Sequence, residues 1–241
     1  MALHIEDLPA RVEAACLGAL AGEKAAGSPA GADDFLIVAN SAAKRGGLDL
    51  EDLRNRGLTL PPACGPPGLL LRAVPFALLS PLDRPQIRFN AYRCVSLAAP
   101  NEATAVTALA SAVLAADLMR FDLDTALIRL RQTFLEEAPN EVLRSLVPFA
   151  VDERLPADPD PIVSLQLAIT ALQRERGVPS VIGLLAGVEG SRAAVTLGGV
   201  LAGARDGLPD GGEWRANVPH NVRASAIARE LAERAAALLA A

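Results

Sequence analysis

Residues 101–119 read Asn101-Glu-Ala-Thr-Ala-Val-Thr-Ala-Leu-Ala-Ser-Ala-Val-Leu-Ala-Ala-Asp-Leu-Met119, and this stretch decides the fold. Ala and Leu are among the strongest helix formers. Asn101 is a good N-cap, so the pattern predicts a helix from Glu102 to Met119. Its low-polarity run, Ala105 to Ala116, is interrupted by Thr107 and Ser111. A bilayer span needs about 20 apolar residues. The run is too short for that and reads as a buried core helix.

The same small apolar residues make up much of the chain. Of 241 residues, 51% are hydrophobic and only 3% aromatic, so the apolar mass is Ala, Leu and Val. Small side chains let helices approach closely, and the amount of apolar material is enough for a sizeable core. The net charge of −5 is mixed along the chain, with no basic run, which excludes a nucleic-acid partner. Cys16, Cys64 and Cys94 are odd in number and lack CxxC spacing, as expected of free thiols in a reducing compartment and not of a zinc site. Met1 to Asp7 has no signal-peptide pattern. The expectation is a cytoplasmic protein of bacterial composition, with no membrane association.

Working outward, the pattern predicts a helix over Leu8 to Ala21 with Val12, Cys16, Leu17 and Leu20 on one face. Asp33 stands where an N-cap would, before Phe35, Leu36, Val38, Ala39 and Ala42. Pro75 predicts a kink or two short turns within Leu69 to Leu79. Asp122 opens a helix through Ala126, Ile128, Leu130 and Phe134, and Asn140 caps a short one. Pro161 suits the first helical position after Asp160. Ser180 caps the next helix, Ala193 to Ala204 forms another, and Asn221 to Leu239 is the last. In that last helix Val222, Ile227, Leu231 and Leu238 share a face, and Glu230 and Arg234 are spaced for an ion pair. Nothing alternates with period two. The prediction is all-α, a single compact helical domain over residues 1–241.

Several segments occur in the order of the ADP-ribosylglycohydrolase superfamily. Ala15-Cys-Leu-Gly-Ala-Leu-Ala-Gly22 resembles its opening helix, and Asp33-Asp34 its Thr-Asp-Asp-Thr motif. Gly68-Leu-Leu-Leu-Arg-Ala-Val-Pro75 resembles a segment in which Arg72 and Pro75 match. Ser96 to Asn101 resembles a Thr-His-Pro segment. Leu197-Gly-Gly-Val-Leu-Ala-Gly-Ala204, followed by Gly207-Leu-Pro209 and Trp214, resembles the family's C-terminal stretch. The resemblance implies an all-α fold, and in active members two magnesium ions that cleave ADP-ribose from its attachments.

Magnesium needs converging oxygen ligands in near-octahedral order, drawn in this family from two distant clusters. Here Asp33 and Asp34 remain, but Ala32 and Phe35 flank them in place of the family's threonines. In the second cluster Gly190 and Arg192 stand at the aspartate positions, with Ala193 at the threonine. Glu189 is the nearest carboxylate. The resemblance therefore implies that no metal is held and that magnesium is not a cofactor. Arg192, in that register, would bridge to Asp33 or Asp34, with Arg72 lining or bracing the pocket; the alternative leaves Asp33 as a cap and Arg192 solvated. His4 and His220 read as ordinary surface histidines, and Trp214 as a packing residue.

The leading expectation is a divergent, non-hydrolytic protein that binds a small-molecule ligand or a protein partner. An alternative is a metal-independent enzyme acting on a small molecule, with secondary metabolism as a natural setting and Asp33, Asp34 or Glu189 as acid or base. A further alternative is an active hydrolase with a shifted metal site.

Overall fold

The computed structural model describes residues 5–27, 29–62, 64–156, 160–188, 192–209 and 212–240. Its α-helices, in chain order, are α1 (Leu8–Ala26), α2 (Ala32–Arg45), α3 (Leu50–Asn55), α4 (Gly68–Leu79), α5 (Arg84–Ser96), α6 (Glu102–Leu118) and α7 (Leu123–Phe134). They continue with α8 (Asn140–Ser145), α9 (Pro161–Arg174), α10 (Val178–Ala186), α11 (Arg192–Asp206), α12 (Gly212–Ala216) and α13 (Asn221–Leu239). No strand occurs among the described residues.

The core centres on α6, in which every residue from Ala103 to Leu118 is buried. Asn101 accepts a hydrogen bond from the Thr104 amide at 2.8 Å, closing the helix start. α4 packs along α6 and is buried over its whole length. Pro75 lies inside α4, which is one continuous helix and not two turns. Its missing N–H leaves one bond of the ladder unmade, and burial on all sides holds the helix together. One turn back, Ser111 of α6 donates to the Leu70 carbonyl at 3.0 Å.

α1 and α11 make the most extensive contact in the molecule. It depends on glycine. A Cβ on Gly18 would come within 2.2 Å of the Gly199 carbonyl oxygen, so the two backbones touch directly. α13 closes over α1 and α2, while α9 and α10 flank α11. Arginines tie helix ends to this frame. Arg11 donates to the carbonyls of Ala204 (3.0 Å) and Arg205 (2.6 Å), and Arg205 to those of Leu172 and Glu175, supplying donors that the last turns of α11 and α9 lack.

Several boundaries and faces differ from the sequence reading. α1 runs on to Ala26. α5 is a full helix where none was predicted, although Asp83 accepts from the Gln86 amide and Pro85 follows at the second position. Gly31, not Asp33, is the N-cap of α2. α10 begins at Val178 behind Gly177, before Ser180, and Asn140 is the first residue of α8 instead of its cap. Ile128 is exposed on α7, and Val222 (81% exposed) lies off the buried stripe of α13. That stripe is Ala224, Ile227, Ala228, Leu231, Ala232 and Ala235. Arg234 lies over Gly46, and no Glu230–Arg234 pair forms among the described residues. Alanines, too small to stand out in a hydrophobicity pattern, carry much of that interface.

Candidate functional site

The site forms where the start of α2 meets α4. Gly31 has φ +96°, and a Cβ there would strike the Leu71 side chain at 2.7 Å, so the turn admits only glycine. The turn leaves Asp33 and Asp34 in the first helical turn, near the positive end of the helix dipole. Glu23, from the C-terminal part of α1, accepts hydrogen bonds from the amides of Ala30 (2.7 Å) and Ala32 (2.9 Å). Its carboxylate thus holds the loop that leads into α2.

Successive helical residues point about 100° apart, and this separates the two aspartates. Asp33 faces outward, its side chain 77% exposed, with Arg223 of α13 at 3.9 Å. An exposed pair of that kind contributes little. Asp34 faces inward. Its Oδ2 accepts from Nε (3.0 Å) and Nη2 (2.8 Å) of Arg72, whose side chain is wholly buried in α4. Nη2 also donates to the Thr59 carbonyl at 2.7 Å, and Nη1 is buried with no hydrogen-bond partner. Charged groups out of water require such pairing, and breaking one partner away costs far more than the pair contributes.

The segment between α3 and α4 covers the pair. Thr59 supplies the carbonyl, and the Cys64 sulfur lies so close to Gly68 that a Cβ there would meet it at 2.4 Å. Burial, with Asp34 nearby, pushes the Cys64 thiol up to about 11. Burial raises Cys94 of α5 to about 12, and Cys16 of α1 likewise to about 12. These thiols carry almost no thiolate at neutral pH, and the thiolate is the nucleophile.

Of the residues singled out in the sequence, the fold brings Asp34 and Arg72 together. Arg192 is exposed at the start of α11, and the ion pairs of Asp33 and Asp34 run to Arg223 and Arg72 instead. Glu189, Gly190 and His4 lie outside the described residues. His220 is exposed, with φ +53°. Trp214 is half-buried and, with Ala21, Lys24, Ile182 and Val218, lines an open cleft of about 400 Å³. Thr59 and Arg223 were not picked out, and nothing in their spacing marks them as meeting Arg72 and Asp33.

A binuclear magnesium site needs several free oxygen donors at one point. Oδ2 of Asp34 meets a guanidinium, Oε2 of Glu23 accepts from two amides, and Asp33 points outward. Among the described residues no three side chains of His, Cys, Asp or Glu gather closely enough to hold a metal ion.

The fold and site define an all-α protein with a buried arginine clamped onto an acidic helix start. The fold is that of an ADP-ribosylglycohydrolase-related protein. A solved chain described as an "ADP-ribosylglycohydrolase-related protein complex" matches with a TM-score of 0.82 at 17% identity, over 95% of this chain and 99% of that one. At this identity the likeness is one of fold. No family model matches the sequence, and no curated protein matches it.

Proposed function

We propose that this chain is a divergent ADP-ribosylglycohydrolase-like protein that has given up magnesium-dependent hydrolysis and acts as a non-catalytic binding or assembly protein. The observation that carries this reading is the buried Arg72 guanidinium on the Asp34 carboxylate. A fixed cation of the chain itself lies on one of the two oxygens that Asp34 could offer a metal. The thiols beside it, held in their protonated form by burial, offer no alternative nucleophile. The matched solved chain belongs to a protein complex, which agrees with an assembly role.

A second reading keeps a cleft for metal-free chemistry on a small molecule. It draws support from Nη1 of Arg72, a buried donor that a ligand oxygen would satisfy. One pair of measurements tests the loss of magnesium-dependent hydrolysis on which both readings rest. Purified protein is assayed for magnesium by elemental analysis and for release of ADP-ribose from modified arginine and serine peptides. The proposed reading expects neither bound magnesium nor release above buffer. Two magnesium atoms per chain, or turnover that stops on chelation, would overturn it.

A further inference from the structure

Asn90 is a buried side chain that the fold leaves without a partner. It stands among the inward residues of α5 and is 6% exposed. Its amide offers two donors and an acceptor, yet it makes no hydrogen bond among the described residues. Most buried side-chain polar groups are paired. The amide lies directly behind the turn that joins α2 to α3. A Cβ on Gly47 would meet Nδ2 at 3.6 Å and Oδ1 at 3.8 Å and, beyond the chain neighbours, nothing else within 4 Å. The missing side chain of Gly47 is what leaves the amide uncovered.

Gly47 belongs to the wall of an open pocket of about 440 Å³, formed by residues 45–50 and by Arg93, one turn beyond Asn90 on α5. That volume lies within the range of small-molecule sites. Arg93 is exposed, its guanidinium backed by the Phe89 ring at 5.1 Å, and it has no ion-pair partner among the described residues. The other charges of the wall close on each other within the chain. Arg45 meets Asp49 at 3.5 Å and Asp52 at 3.0 Å. The pocket thus holds one unmatched positive charge and, at its back, one unmatched amide. Side chains three apart on a helix stand about 5–6 Å from each other at Cβ.

We infer that this pocket binds a small monocarboxylate that also carries a primary carboxamide or a lactam. Arg93 takes the carboxylate, which suits its paired N–H groups. The Asn90 amide presents a donor and an acceptor along one edge, and the group that answers both at once is another amide with its N–H and C=O on the same side. Carboxamides and lactams have that edge. An open-chain secondary amide is trans, with its N–H and C=O pointing opposite ways, and answers only one. A phosphate dianion suits the pocket less well, because Asp49 and the negative, C-terminal end of α2 stand in its wall. The pocket lies at the far end of α2 from Asp34, about 18 Å away at 1.5 Å per residue. The inference therefore stands or falls without the reading of the Asp34–Arg72 pair.

Titration of the nitrogen-15-labelled chain, followed by NMR, tests it. Succinamate supplies the carboxamide form and 2-pyrrolidone-5-carboxylate the lactam form, while propionate and propionamide supply each half alone. At least one of the first two is expected to shift the side-chain amide signals of Asn90 and to bind about tenfold or more tightly than either half. Arg93→Gln, at an exposed position, and Asn90→Ala are each expected to weaken that binding by about tenfold or more. Gly47→Ala is expected to abolish it with an unchanged melting temperature. Gly47 is not among the glycines with positive φ, and the added methyl meets the Asn90 amide at ordinary contact distance. Saturation by neither compound overturns the inference, and Asn90 then faces water alone. So does equal binding of propionate, or binding that survives Arg93→Gln or Gly47→Ala.

Discussion

Arg72 is the residue on which the site turns. Its side chain is wholly buried, yet it meets one carboxylate oxygen, one carbonyl and, at Nη1, nothing. Removing one member strands the other, so Asp34→Asn or Arg72→Ala is expected to cost about 3–5 kcal/mol in urea denaturation. Arg72→Met combined with Asp34→Leu is expected to recover most of that, because an apolar pair of similar size needs no partner. Arg192→Ala, at an exposed helix start, is expected to stay within about 0.5 kcal/mol of wild type, with or without magnesium. The cysteines give an independent check. Half-buried Cys64 should react first with iodoacetamide, its rate climbing with pH toward a thiol value of about 11, while Cys16 and Cys94 react only on unfolding. Mass spectrometry of the labelled chain reads the order.

At the scale of elements, glycine shows where space decides. On α1, Gly18→Ala would drive a methyl into the Gly199 backbone, which cannot yield as a flexible side chain would. It is expected to cost at least about 1–3 kcal/mol. On α10, Gly183 is exposed and a Cβ there would meet nothing within 4 Å. Gly183→Ala is therefore expected to stabilise by up to about 1 kcal/mol through helix propensity, raising the melting temperature by about 2–4 °C. The short α3 is fastened electrostatically. Hydrogen bonds from Arg56 (2.5 Å) and Arg45 (3.0 Å) hold the Asp52 carboxyl well below the usual range. A carboxylate depressed in the folded state contributes stability above its unfolded value of about 3.9, and that contribution is lost as pH falls through the folded value. Stability below pH 4 should therefore fall more steeply in wild type than in Asp52→Asn, as acid titrations followed by circular dichroism would show.

For the whole molecule, ligand linkage tests the reading of the site. A ligand that binds only the folded chain adds about 2.7 kcal/mol at a hundredfold excess over its Kd, so millimolar magnesium is expected to leave the melting temperature unchanged. No described helix is long and apolar enough to cross a membrane, as the polar breaks in the Ala105–Ala116 run indicated. The all-helical fold was legible in the sequence because its signals are local. Alanine and leucine content set the helices; Asn101 is the cap it was read to be, and Asp122 and Asp160 cap the helices read to start at those points. The helix α5 was not legible, because Phe89, Tyr92 and Leu97 on its outward side blur the helical period of Ile87, Ala91, Cys94 and Val95. The partner of Asp34 was not legible either. The sequence named Asp34, Arg72 and Arg192 as candidates, but Asp34 and Arg72 stand 38 positions apart, and which arginine reaches the carboxylate depends on how α2 and α4 pack. Sequence by itself determined that most segments become helix, since capping and propensity act within a few residues. Only the tertiary structure decided which charges meet, since that follows from how close the backbones can come.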